Sequence, residues 1–202
     1  MTTYGLLIFD DVEELDFVGP WEVFTASSML RYGRDTAVLI AERSEPVRCS
    51  KGMRVLPDHT FGDHPPLDVL LIPGGRGARE AQSHNPVATD WIARTAGRAS
   101  WISSVCTGAL LAHAAGPARG RRVATHWSHE DELDALGDVT VVRDARYVVD
   151  GNLVTSQGVS AGIDSALWLV GRLHGREHAR AVRRYLQYEP APPYLADEPV
   201  AG

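Results

Sequence analysis

Short apolar runs punctuate the first two thirds of the chain: GLLIF (5–9), AVLIA (37–41), DVLLIP (68–73), WISSV (101–105) and RRVAT (121–125). Most lack the strict polar alternation of a strand with one wet face, so they predict strands covered on both sides. The segments between them switch to helical spacing, at PWEVFTASSML (20–30), NPVATDWIARTA (85–96) and TGALLAHAA (107–115). Asn85 before Pro86 is a well-formed helix start, an acceptor followed by a residue that needs no amide partner. Strands alternating with helices of this length predict an α/β fold, a mostly parallel central sheet with helices on both faces. Farther on, Asp150-Gly151 between two β-prone runs predicts a hairpin or a short antiparallel appendage. Two more helices are expected, over 160–174 and 176–188, before a proline-rich tail (189–202) that cannot continue a helix and is expected to pack or fray at the surface.

Composition narrows the function classes. The 202 residues are 44% hydrophobic, enough for one substantial core, and one domain over 1–202 is expected. The formal net charge of −6 speaks against nucleic-acid binding by this chain alone and against an anionic membrane. MTTYGLLIFDD has no basic region before its apolar run, so a signal peptide is not expected, and no apolar stretch nears the roughly 18 residues a bilayer needs. A cytoplasmic protein is expected, its two cysteines reduced.

In open α/β sheets ligands collect beyond the carboxyl ends of the strands. Those ends carry Asp10 and Asp11, Pro73-Gly74-Gly75, Cys106, His126 and Ser156-Gln157-Gly158. Cys106 stands between a strand and a small-residue helix, with Gly108 two places on: the shape of a nucleophile elbow. A helix N-terminus there is expected to lower the thiol pKa, although cysteine is also a common small core residue. Cys49 lacks such a context and reads as incidental. A nucleophile that creates negative charge needs donors; the amides of Gly74, Gly75 and Thr107 are candidates, and the glycine pair is equally a plain turn. Asp16, between Leu15 and Phe17, reads either as an acid of raised pKa that serves Cys106 or as a helix cap. His126 reads as a partner of Cys106 or as a filler before a helix capped by Ser128 and Asp131. Cys106, His126 and His129 lack the compact spacing of a zinc site, so no metal or other cofactor is expected. His174 and His178 are expected to face solvent.

The stretches ELDFVGPWEVF (14–24), DVLLIPGG (68–75), SSVCTGALLAHAAG (103–116), GRRVATHWSHEDEL (120–133), LVTSQGVSAGIDSALWLVGRLHG (153–175) and YEPAPPY (188–194) resemble, in order and over nearly the whole chain, the DJ-1/PfpI superfamily. Within it they are most similar to the branch that hydrates isonitriles and to the sensor domains of AraC-type regulators. The resemblance implies a flavodoxin-like three-layer sandwich, usually a homodimer, with the cysteine at the elbow. In the hydratase branch it implies catalysis by Cys106, Asp16 and Thr107 without a cofactor. Thr107 stands where the protease-like members have histidine, and Asp16 where DJ-1-like and glyoxalase-like members have glutamate. The expected reaction is hydration of an isonitrile to an N-substituted formamide through a cysteine thioimidate. The alternatives are a ligand-sensing domain without turnover and a glyoxalase-like enzyme acting on 2-oxoaldehydes.

Overall fold

The first apolar run becomes β1 (Thr3–Leu7) and leads through an acidic loop into α1 (Glu14–Leu30) in the computed structural model, which describes residues 1–190. The tail from 191 onward, with the end of YEPAPPY, lies outside the described residues. β2 (Thr36–Ala41) is followed by a small hairpin, β3 (Val47–Arg48) and β4 (Arg54–Val55), and by β5 (His59–Thr60). Next come β6 (Val69–Ile72), α2 (Arg76–Glu80), α3 (Pro86–Ala96), β7 (Trp101–Val105) and α4 (Gly108–Ala115). The last third holds β8 (Arg122–Val123), a 3-10 turn (Trp127–His129), α5 (Glu130–Asp134), β9 (Thr140–Val141), β10 (Tyr147–Asp150), β11 (Leu153–Ser156), α6 (Ala161–His174) and α7 (Arg176–Tyr185).

Among the described residues seven strands form the central sheet, in the order β10-β11-β7-β6-β1-β2-β5. All neighbours are parallel except the hairpin β10–β11. β6 and β11 are buried along their whole length, β1 and β7 along all but their first residue, as strands covered on both faces must be. This is the α/β sandwich that the alternating pattern predicts.

Three elements differ from the sequence reading. RRVAT does not enter the central sheet: among the described residues β8 pairs only with β9, because the β10–β11 hairpin occupies the edge beside β7. Arg122 N–H instead meets the Asp150 carboxylate at 2.8 Å, and Ala124 N–H the Thr155 hydroxyl at 2.7 Å. Next, α1 starts at Glu14 rather than near Pro20, which sits inside the helix. The hydrogen bond that Pro20 forfeits is offset by burial of Phe17, Val23 and Phe24. Finally, His174 and His178 do not face solvent. Nε2 of His174 lies 3.0 Å from the Tyr4 hydroxyl and 3.3 Å from Asp35, and Nε2 of His178 lies 2.8 Å from the Ser27 hydroxyl. Together they fasten α6 and α7 to the start of β1 and the end of α1.

Candidate active site

Val105 ends β7 and Gly108 opens α4, so Cys106 and Thr107 alone make the bend between them. Cys106 pays with a positive φ of 57°, a left-handed conformation that costs an L-residue free energy. Neighbours hold it there: Cys106 N–H donates to the Ser156 carbonyl at 3.1 Å, and the Thr125 hydroxyl donates to the Cys106 carbonyl at 2.9 Å. Gly108 permits the tight bend, since a Cβ there would lie 2.2 Å from the Ile72 carbonyl oxygen.

The acidic loop after β1 is sorted by its partners. The Asp10 carboxylate accepts from Arg48 N–H at 2.8 Å, Asp11 pairs with Arg76 at 2.8 Å, Glu13 pairs with Lys51, and Glu14 accepts from Lys51 N–H at 2.7 Å. Those four hold the β3–β4 hairpin and α2 against the loop. Asp16, in the first turn of α1, turns inward and is 0% exposed. It caps nothing in its own helix. Its Oδ2 accepts from Gly74 N–H at 2.9 Å, and its Oδ1 is buried without a hydrogen-bond partner among the described residues. Burial pushes its pKa up to about 8, and the nearby Glu13 charge adds to this, against the Gly74 N–H and the Cys106 thiol, which favour the anion. At neutral pH this carboxyl therefore keeps its proton.

The thiol beside it departs from the dipole argument. Burial, then the Asp16 charge, push Cys106 up to about 12, although the Thr107 N–H and hydroxyl favour the thiolate. The helix end does supply a donor to the sulfur, but desolvation at 6% exposure outweighs it. The resting site is thus a thiol against a carboxylic acid.

The glycine pair is also committed to partners. Gly74 N–H goes to Asp16, and Gly75 N–H goes to the Thr107 hydroxyl at 3.0 Å. The structure therefore gives both amides a positioning role, where the sequence reading left them open between oxyanion donors and a plain turn, and leaves the Thr107 N–H as the donor at the sulfur. Gly74 itself must lack a side chain, because a Cβ would meet Thr107 N and Oγ1 at 2.6 Å.

Gly158, after β11, brings His126 into the site. A Cβ on Gly158 would meet Cys106 Sγ at 2.7 Å and His126 Cδ2 at 2.5 Å, so sulfur and ring edge face one small volume. Ser128 does not cap α5; its N–H donates to His126 Nδ1 at 3.3 Å, and its hydroxyl lies 2.8 Å from the same atom and 2.9 Å from His129 Nδ1. An Nδ1 that accepts an N–H carries no proton of its own, so the neutral ring keeps its hydrogen on Nε2, the nitrogen next to Cδ2. Phe17 is core at 2% exposure, whereas Trp127, next to His126, is 73% exposed. Cys49 is buried in the loop of the β3–β4 hairpin itself, its thiol pushed up to about 11 by burial and by Glu14 and Asp10. Among the described residues no cluster of three or more His, Cys, Asp or Glu side chains could hold a metal ion.

The DJ-1/PfpI family model matches residues 5–171. The chain belongs to the DJ-1/PfpI family. It is 39% identical over 195 residues to isonitrile hydratase of Pseudomonas putida, covering 96% of this chain and 82% of that protein. It is 34% identical over 183 residues to the Parkinson disease protein 7 homolog of Danio rerio, covering 88% of this chain and 93% of that one. Among solved structures, a ThiJ/PfpI family protein from Pseudomonas syringae superposes with a TM-score of 0.87 at 31% identity, over 98% of this chain and 79% of that chain. The DJ-1/PfpI match includes the acidic loop, the glycine pair, the elbow and Gly158, all within residues 5–171.

Proposed function

We propose that this DJ-1/PfpI protein is a cysteine-dependent hydratase that converts an isonitrile and water into an N-substituted formamide. The observation that carries the reading is the buried pair itself: an Asp16 carboxyl that keeps its proton at neutral pH, set against the Cys106 thiol. The identity to an isonitrile hydratase supports the choice of substrate.

The chemistry needs both partners. The terminal carbon of R–N≡C takes a sulfur on one side and a proton on the other. Cys106 Sγ bonds to that carbon while Asp16 delivers its proton to it, and the thiol proton returns to Asp16; the product is the thioimidate R–N=CH–S–Cys106. Water then attacks the same carbon. Asp16 gives its proton to the nitrogen and takes one from the water, leaving R–NH–CH(OH)–S–Cys106. The C–S bond breaks, the hydroxyl proton passes through Asp16 to sulfur, and R–NH–CHO leaves with the thiol restored. The Thr107 N–H steadies the sulfur as charge gathers on it, and the His126 Nε2–H faces the carbon's substituents as a second donor.

Incubation with cyclohexyl isocyanide is expected to yield the formamide, with Cys106→Ala at background. Because a protonated Asp16 is required, kcat should be greatest below neutrality and fall as pH rises through about 8, where half of it is lost. Absence of product above the Cys106→Ala background defeats the reading. Turnover of methylglyoxal instead would replace it with a glyoxalase, and saturable binding without turnover with a sensor.

A further inference from the structure

The α6–α7 corner lies far along the chain from the elbow and plays no part in that chemistry. Gly171 lets the two helices approach closely, since a Cβ there would lie 3.3 Å from that of Ala179. Beside the crossing runs a cleft of about 540 Å³, with Leu167, Trp168 and Ala179 among its walls. Arg172 from the last turn of α6 and Arg176 and Arg180 from the first turns of α7 line the same cleft. All three are exposed, and among the described residues none forms an ion pair. Trp168 is half-buried and held edge-on by Trp101, ring centres 5.6 Å apart, with Tyr147 at 6.3 Å. One wall is therefore a braced indole.

Three guanidinium groups with like charge repel each other, and in a chain of net charge −6 their grouping on one cleft costs free energy unless an anion shares it. The planar fork of arginine matches phosphate oxygens two at a time. At the N-terminus of α7, Gly175 supplies no side-chain cap, and Arg176 and Arg180 stand on the helix's first turns with Glu177 the acidic side chain among them, two positive charges against one. The volume falls within the ~300–1,000 Å³ of small-molecule sites, and three cations over so short a span suit one phosphoryl or pyrophosphoryl group rather than the extended track of a nucleic acid.

We propose that the α6–α7 cleft binds a small organic phosphate, with Arg172, Arg176 and Arg180 on the phosphoryl oxygens and a flat group of the ligand against Trp168. The chemistry is that of a nucleoside diphosphate. The site is independent of the reading of the Cys106 centre.

The test is calorimetric titration of the full chain with ADP, inorganic pyrophosphate and adenosine. ADP is expected to saturate at one site, pyrophosphate to bind more weakly, and adenosine to bind weakest. Arg176→Gln with Arg180→Gln should weaken ADP at least about tenfold, the scale of losing one or two charge-assisted contacts. Trp168→Leu should weaken ADP but not pyrophosphate. Thermal melting and reaction of Cys106 with a thiol reagent should be unchanged in the arginine variant, which keeps a misfolded protein from passing for a result. The proposal is overturned if ADP does not saturate, if the arginine variant binds it as well as the parent, or if a single-stranded oligonucleotide outcompetes ADP.

Discussion

Asp16 is stabilised as a neutral acid and penalised as an anion, and this sets a testable slope. Its folded pKa of about 8 lies above the ordinary carboxyl value of 3.8, so the folded form binds more protons than the unfolded one. Stability contributed by the neutral carboxyl is complete below 3.8 and is lost progressively as pH rises toward 8. Asp16→Asn removes the ionisation while keeping an acceptor for Gly74 N–H. The variant is expected to gain on the order of a few kcal/mol over the parent at pH 8 and much less at pH 4, read from urea melts at both pH values. It should also lower the thiol pKa of Cys106, because the Asp16 charge is the second contributor to its rise; thiolate absorbance against pH measures this. Turnover should vanish. An unchanged thiol titration would show that the two groups do not act on each other, and the proposed proton transfers would fail with it.

At the scale of elements, the site is the meeting of five chain segments separated in sequence: the first turn of α1, Gly74-Gly75 after β6, the β7–α4 bend, the loop after β8 and Gly158 after β11. Two glycines separate packing from chemistry. Gly74→Ala puts a methyl 2.6 Å from Thr107 N and 2.9 Å from Gly108 N, backbone atoms that cannot move aside. A loss of about 1–3 kcal/mol in stability is expected, with loss of activity following from the displaced bend. Gly158→Ala instead meets the Cys106 sulfur and the His126 ring. The ring can rotate, so denaturant midpoints should shift less than for Gly74→Ala, while the volume in which the proposed reaction would seat its carbon is filled and turnover is expected to be lost. Equal stability losses for the two would contradict this division.

Over the whole molecule, the sheet carries its reactive groups at the carboxyl ends of the strands and a histidine clasp at the opposite end of β1. Asp35 is the hub of that clasp: it accepts from Thr2 N–H and from Arg31 Nε, each at 2.8 Å, and lies against His174. The rings of His174 and His178 are 5.8 Å apart. Burial lowers both histidines from their ordinary 6.5, and Arg31 lowers them further, while Asp35 opposes this. With folded values below the unfolded one, their contribution is complete above 6.5 and is lost as pH falls through the folded values. Hydrogen exchange in α7 should therefore accelerate on acidification below pH 6.5 before the central strands loosen. Exchange in α7 that is insensitive to pH, after correction for intrinsic rates, would show that the clasp does not hold the helix.

Much of this was legible along the chain because its causes are local. Apolar runs without alternation specify strands buried on both faces, Asn85-Pro86 starts α3 with the Asn85 side chain accepting from Val87 N–H at 3.0 Å, and small residues around Cys106 specify a sharp bend. The elbow, Asp16 as a candidate acid and the family could be read from such stretches. Tertiary structure decided between the two roles open to Asp16, acid beside the sulfur or helix cap, while Arg48, Lys51 and Arg76 claim its four acidic neighbours. It decided that the glycine amides serve Asp16 and Thr107, that RRVAT stays out of the sheet, and that His174 and His178 turn inward. It also reversed the direction of the thiol pKa: a helix end is visible in sequence, but desolvation is the sum of everything packed around an atom, and most of what surrounds Cys106 comes from other parts of the chain.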